Sequence, residues 1–240
     1  MLSDVDIEKQ LEERINSPDK GISINPFAQK YLTPVGYDLR VGKKGFSWKN
    51  KHEVDIENEK CIEIKPQDTV VIETLESISL SKEFGATIHA MATRATTQGL
   101  SHISTTIDPG WTGKLLISFH NYLDTPVELR FEDSFCTVCF FRVESQAKAS
   151  ITRPPDRDDI WQQLRDKANQ EKQIQAQNRK EEQEREKRER QTRILGMTFF
   201  ALVALVVGII TSLINPVLGA SLAAVIGGIS PLVVEILKPK

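Results

Sequence analysis

The sequence predicts a mainly β domain of sandwich or barrel type, followed by a charged helical stalk and two transmembrane helices. Three observations carry this. Residues 1 to about 152 hold short runs of β-branched and apolar residues, punctuated by Gly and Pro. Residues 158–193 are almost wholly polar and helix-favouring. No charged residue occurs from Ile194 to Val234, and Asn215-Pro216 breaks that run once.

Taken in order, Ser3 is placed to cap a first helix whose stripe is Ile7, Leu11 and Ile15. Strand-like segments follow at 54–57, 61–64, 69–73, 77–80, 86–90, 114–119, 126–129 and 134–143. Gly36, Gly42, Pro66, Gly85, Gly99, Pro109-Gly110 and Pro126 separate them. The three cysteines do not read as a disulfide framework. Cys136 and Cys139 have CxxC spacing, but they lie in an apolar run that reads as a strand. Residues three apart on a strand face opposite sides, so two thiolates there cannot share a zinc. No metal cluster is visible elsewhere.

Pro154-Pro155 closes the β domain, assigned to residues 1–152. The stalk, 153–193, carries acid-first pairs four apart, Glu181–Arg185, Glu184–Arg188 and Glu186–Arg190, the favourable helical orientation. Its apolar residues Ile160, Trp161, Leu164, Ala168 and Ile174 thin out along the segment. Without a sustained heptad seam, the stretch reads as a solvated linker or a weakly associating stalk rather than an autonomous coiled coil. As one helix, residues 158–193 would span ~54 Å at 1.5 Å per residue.

Residues 194–237 form the predicted hairpin. Ile194–Ile214 and Pro216–Leu237 each approach the ~20 residues that cross a ~30 Å hydrocarbon layer. A soluble helix pair would keep a polar face. Lys187, Arg188, Arg190 and Arg193 precede the first span, and Lys238 and Lys240 follow the second. Both ends are therefore expected on the cytoplasmic side of an inner membrane. Met1-Leu2-Ser3-Asp4 opens no signal peptide, which leaves the β domain in the cytosol. The net charge of -2 hides this asymmetry; membrane lipid is an expected partner and nucleic acid is not.

Three patches stand out in the β domain. They are Thr33-Pro-Val-Gly-Tyr-Asp-Leu-Arg-Val-Gly42, Arg94-Ala-Thr-Thr-Gln-Gly-Leu100 and Thr105-Thr-Ile-Asp-Pro-Gly-Trp-Thr-Gly113, the last running into Leu115–Asn121. Alone, each is a turn bounded by strands. In this order and spacing they resemble the dCTP deaminase and dUTPase superfamily, in its deaminase branch. Met1–Glu8, Ile22–Pro26, Thr74–Leu80 and Phe131–Phe141 extend the resemblance over most of residues 1–145.

The resemblance implies a distorted, dUTPase-like β barrel of jelly-roll type. It also implies a homotrimer with sites for a pyrimidine deoxynucleoside triphosphate between subunits. Arg94 would begin the phosphate-binding turn, where a guanidinium fork suits a triphosphate, and Thr96 would be its remaining hydroxyl. Asp108 would contact the deoxyribose, and in a dUTPase help hold the attacking water. Gly110 and Trp111 would shape the hairpin over the sugar. No protein-bound cofactor is implied, and a Mg²⁺ carried in by the triphosphate would need no protein cage.

The pattern breaks where the chemistry lies. The glutamate that family deaminases use as general base is matched here by Ser118, whose hydroxyl accepts no proton usefully near neutral pH. The phosphate turn reads Arg94-Ala95-Thr96, so one hydroxyl is lost, a second arginine is missing, and the C-terminal lid has no clear counterpart. His89, His102 and His120 are available as replacement bases but fit packed or solvent-facing strand positions better. Three functions stay open. One is a membrane-tethered nucleotide sensor or effector without catalysis, a type suited by analogy to antiviral defence. The others are a membrane-bound dCTP deaminase or dUTP diphosphatase, and an assembly hub without ligand.

Overall fold

The computed structural model describes residues 1–149 and 156–214. The chain divides into two compact units, Met1–Gln173 and Ile174–Lys240.

The first unit opens with helix α1, Asp4–Asn16. Ser3 caps it as expected, because its Oγ accepts from the Asp6 N–H at 3.2 Å while the Asp6 carboxylate accepts from the Ser3 N–H at 3.1 Å. Ser3→Ala removes one half of this box and is expected to cost about 1 kcal/mol. Thermal melting followed by circular dichroism would record it as a drop of about 2–4 °C. Ile7 is buried and Leu11 packs on the core, but Ile15 is 82% exposed, so the predicted stripe is too long. Gln10 takes the buried place instead, because the returning chain closes on α1 there. At Gly21, with φ +68°, any Cβ would lie 2.4 Å from the Gln10 carbonyl oxygen.

The strands are β1 Ile22–Asn25, β2 Leu32–Thr33, β3 Gly36–Ser47, β4 His52–Asp55, β5 Cys61–Ile64, β6 Thr69–Leu80, β7 Phe84–Ala90, β8 Leu100–His102, β9 Thr106–Ile107, β10 Thr112–Asn121, β11 Val127–Arg130 and β12 Ser134–Arg142. Short helices α2, Ile56–Glu59, and α3, Ala92–Gln98, lie between them. All pairings are antiparallel, and the main path runs β8-β10-β6-β3-β12-β7-β9. β1 adds to β6, β2 and β4 add to β3, and β5 with β11 forms a separate ribbon. The unit is mainly β, as the sequence predicts.

Two segments read as separate strands, 69–73 and 77–80, are one strand, β6. Its register slips against β10 between Lys114 and Leu116 and against β3 between Val41 and Gly45. Such bulges bend a long strand and break the simple alternation that marks one in sequence. Gly42 lies at the slip on β3, where a Cβ would meet the Glu73 carbonyl at 2.6 Å. The predicted strand at 54–57 ends early, because Asp55 caps α2 through the Asn58 N–H at 3.1 Å.

The inner faces of β6, β10 and β12 supply Ile72 and Ile78, Ile117 and Phe119, and Phe135 and Phe140 to one apolar core. A second, separate cluster lies on the outer face. There Trp161, Leu164 and Ala168 of helix α4, Asp158–Ile214, bury against Phe46 of β3 and Val71 of β6. Their i, i+3, i+7 spacing makes one narrow helical stripe. Trp161 is 2% exposed, and burying a large apolar side chain contributes about 1.5–3 kcal/mol. In sequence this stripe reads only as apolar residues thinning out of a polar segment.

In the second unit α4 continues from Ile174 to Ile214. Its uncharged part is exposed and long and apolar enough to cross a membrane. The predicted second span, 216–237, lies outside the described residues.

Candidate functional site

Asp108-Pro-Gly-Trp111 forms a tight turn between β9 and β10. The Trp111 N–H donates to the Asp108 carbonyl at 3.1 Å, and Gly110 has φ +84°. A positive φ at the third residue is what a type II turn requires, and Pro at the second is commonly found there. Trp111 pins the turn to the core: its ring is 6% exposed, and its Nε1–H donates to the Gly113 carbonyl at 3.1 Å. Leu80 of β6 donates its N–H to the Trp111 carbonyl at 2.8 Å. Asp108 is thus held at an exposed corner on a rigid base.

Arg94 lies on α3, which follows β7. Its Nε donates to the Ser134 carbonyl at 2.8 Å, one terminal nitrogen to Gln98 Oε1 at 3.1 Å, and the other faces Asp133 Oδ2 at 3.4 Å. The fork expected to meet phosphate is therefore occupied within the chain. Thr96 Oγ donates back to the Ala92 carbonyl at 2.7 Å. The segment is a helical turn, and the Ala95 N–H is spent on the Met91 carbonyl at 3.1 Å. Arg94→Ala is expected to loosen α3 and cost about 1–3 kcal/mol. Amide hydrogen exchange at 92–98 would rise while exchange in β6 stays slow.

Ser118 stands half-buried in the middle of β10, with Val71 of β6 as its direct cross-strand partner. Alternation puts it on the outer face with Leu116 and His120. Within one chain Asp108 does not meet the other two positions. Ser118 lies about 20 Å beyond Thr112 along β10, at ~3.3 Å per residue. Asp108 follows Ile107, which pairs with Ala86, whereas α3 follows Ala90 at the other end of β7.

Two charged features escape the sequence reading. Glu73, the cross-strand partner of Leu116, carries a buried carboxylate on the outer face, paired with Lys114. Its outward place in Thr69–Glu73 was the available signal. In the first patch, Arg40 and Glu76 form a buried ion pair at 2.6 Å, and Tyr37 accepts the Ala28 N–H at 3.1 Å. That patch is built into the core.

The histidines are dispersed. His89 bonds Thr87 at 2.7 Å, His120 bonds Thr69 at 2.9 Å, and His102 packs on Phe119 with ring centroids 5.3 Å apart. Cys136 and Cys139 both lie on β12, and burial pushes the Cys136 thiol well above its usual range. Among the described residues no group of three or more His, Cys, Asp or Glu side chains is placed to hold a metal.

A family model described as dCTP deaminase-like matches residues 1–143. The chain belongs to the dCTP deaminase-like family. The dCTP deaminase of Pyrococcus furiosus is 36% identical over 129 residues, 54% of this chain and 81% of that protein. The dUMP-forming dCTP deaminase of Tropheryma whipplei is 27% identical over 171 residues, 64% of this chain and 84% of that protein. Among solved structures, the 2'-deoxycytidine 5'-triphosphate deaminase of Agrobacterium tumefaciens aligns with a TM-score of 0.48 at 16% identity, covering 59% of this chain and 48% of its own. The β domain of this dCTP deaminase-like chain is built on one antiparallel sheet with a separate two-stranded ribbon, and the long helix α4 follows it.

Proposed function

We propose that this chain is a membrane-anchored, trimeric deoxynucleotide-binding protein that has lost deaminase chemistry and senses nucleotide on behalf of the membrane. The observation that carries the reading is Ser118, half-buried in mid-β10 at the position where the family resemblance places the general-base glutamate. A hydroxyl in that place removes a contribution of about 10²–10⁴-fold. Membership of a family whose relatives are named dCTP deaminases supports a pyrimidine deoxynucleotide as ligand. The rigid Asp108 turn is the part of the pocket best preserved.

Trimerisation supplies what one chain lacks. Asp108 lies apart from Arg94 and Ser118 within a subunit, and a neighbouring copy would bring them to shared sites. The uncharged stretch of α4 and the segment 216–237 would then cross an inner membrane as a hairpin, with the β domain in the cytosol. Six such spans, with small residues at Gly196 and Gly208, would pack as one assembly.

A second reading, a working deaminase with a displaced base, is favoured by Glu73, whose carboxylate shares the outer face with Ser118. One experiment separates the two. The purified full chain is incubated with Mg²⁺ and each of dCTP, dUTP, dTTP and dATP, and products are resolved by chromatography while calorimetry follows binding. All four nucleotides are expected back unchanged, with a pyrimidine nucleotide bound. Formation of dUTP from dCTP, or of dUMP, would reject the loss of catalysis.

A further inference from the structure

We infer that the first turns of α4 are a releasable cover over the outer face of the sheet around Val71 and Ser118, and that ligand on that face and docked α4 exclude one another. The second half of this inference rests on the function proposed above.

The registers define the covered place. Val71 is the direct partner of Phe46 on β3 and of Ser118 on β10, so the three form one row across the sheet. Directly paired residues of antiparallel strands point to the same face. Trp161, Leu164 and Ala168 bury two members of that row, Phe46 and Val71. Leu116, one alternation step from Ser118, packs at the margin of the same cluster. The helix therefore sits beside the position that the family reading makes chemical.

The contact is built to separate. Its cluster shares no residue with the main core. Two ion pairs close its rim, Arg165–Glu53 at 2.6 Å and Lys51–Glu171 at 2.8 Å, the latter without hydrogen-bond alignment. Arg165 and Glu53 are both substantially exposed, and a pair of that kind is weak and salt-screened, whereas Lys51 Nζ is buried on the sheet side of its pair with the exposed Glu171. Trp161 Nε1–H is buried without an acceptor, so the docked state carries a donor that release would return to water. The helix that carries this stripe also carries the apolar stretch from Ile194 to Ile214. Docking and release are thus changes made on the element that leads to the bilayer.

Native-state thiol labelling tests the cover without any nucleotide. The full chain in detergent micelles carries Val71→Cys, with Phe46→Cys, a position 1% exposed in the same cluster, as a second reporter, and peptide mapping separates each thiol. Cys136, fully buried on β12, reports unfolding of the whole domain. The reporters are expected to label at least about 100-fold faster than Cys136. Leu164→Ala should speed them about tenfold further with Cys136 unchanged. Equal rates for reporter and Cys136 would overturn the cover, since the face would open only when the domain unfolds.

Exclusion is then read from the Kd for dCTP. Leu164→Ala is expected to bind about tenfold more tightly than wild type, because less of the protein is held in the closed form. An equal Kd in the two proteins overturns exclusion. Absence of dCTP binding in both rejects the proposed function and the exclusion with it, and the cover itself is decided by the thiol rates.

Discussion

Glu76→Ala is expected to lower the unfolding free energy of the β domain by about 3–5 kcal/mol, the cost of leaving one member of a buried pair alone. Glu76 is fully enclosed and its partner Arg40 nearly so. The carboxylate accepts from the Arg40 backbone N–H at 2.9 Å and from Nε at 2.6 Å. Arg40 has further contacts, to the Pro26 carbonyl at 3.2 Å and to the face of Tyr31 at 4.6 Å, but none that neutralises it. Truncation therefore strands a cation between β3 and β6. Burial raises the Glu76 carboxyl above its ordinary value, against the opposing effect of the Arg40 hydrogen bonds. A raised folded value means the folded state holds the proton more tightly. The contribution from this group is full below the ordinary value and is lost as pH rises through the raised one. Urea unfolding of the full chain in detergent measures the loss. The double substitution Arg40→Met, Glu76→Leu should recover most of it, because the stranded charge is gone.

Ser118→Glu is expected to raise conversion of dCTP to dUTP by about 10²-fold or more over wild type, the lower end of what a placed general base supplies. The strand already fixes the position: residue 118 is half-buried, in register with Val71 and on the outer face. Chromatographic product analysis provides the measurement, with Ser118→Gln as the control that adds bulk without a base. If the glutamate and glutamine variants are equally inactive, Ser118 is not what stopped the chemistry. Combining Ser118→Glu with Leu164→Ala should add to the gain if α4 restricts access to the face.

Local signals in the sequence suffice where one short-range rule governs them. Ser3 before an amphipathic stretch gave α1 and its cap. Asp108-Pro-Gly gave the turn that the structure holds at φ +84° on Gly110. Signals that depend on distant partners were lost. β6 appeared as two strands because its bulges are set by β3 and β10. Ile15 appeared buried because nothing local says that the chain returns against α1 at Gly21. Arg94 looked like a free phosphate ligand because its partners, Ser134 and Asp133, lie about forty positions away. Trp161, Leu164 and Ala168 looked like a remnant of apolarity because the surface they cover is assembled from three other strands. The family motifs succeeded for a different reason: several matches in order constrain the fold more than any one turn does.

The sheet path ends on two very short strands, β8 with three residues and β9 with two. β8 covers only Phe119–Asn121 of β10, so among the described residues Thr112–Ser118 have no strand partner on that side. For a domain carried on a helix that can cross a bilayer, this has a consequence for crowding. Molecules confined to a surface meet one another far more often than the same number in bulk, and always from a restricted set of directions. An open strand edge offers backbone donors and acceptors to any neighbour that reaches it. On a crowded surface the side chains that flank such an edge have to decide which encounters last.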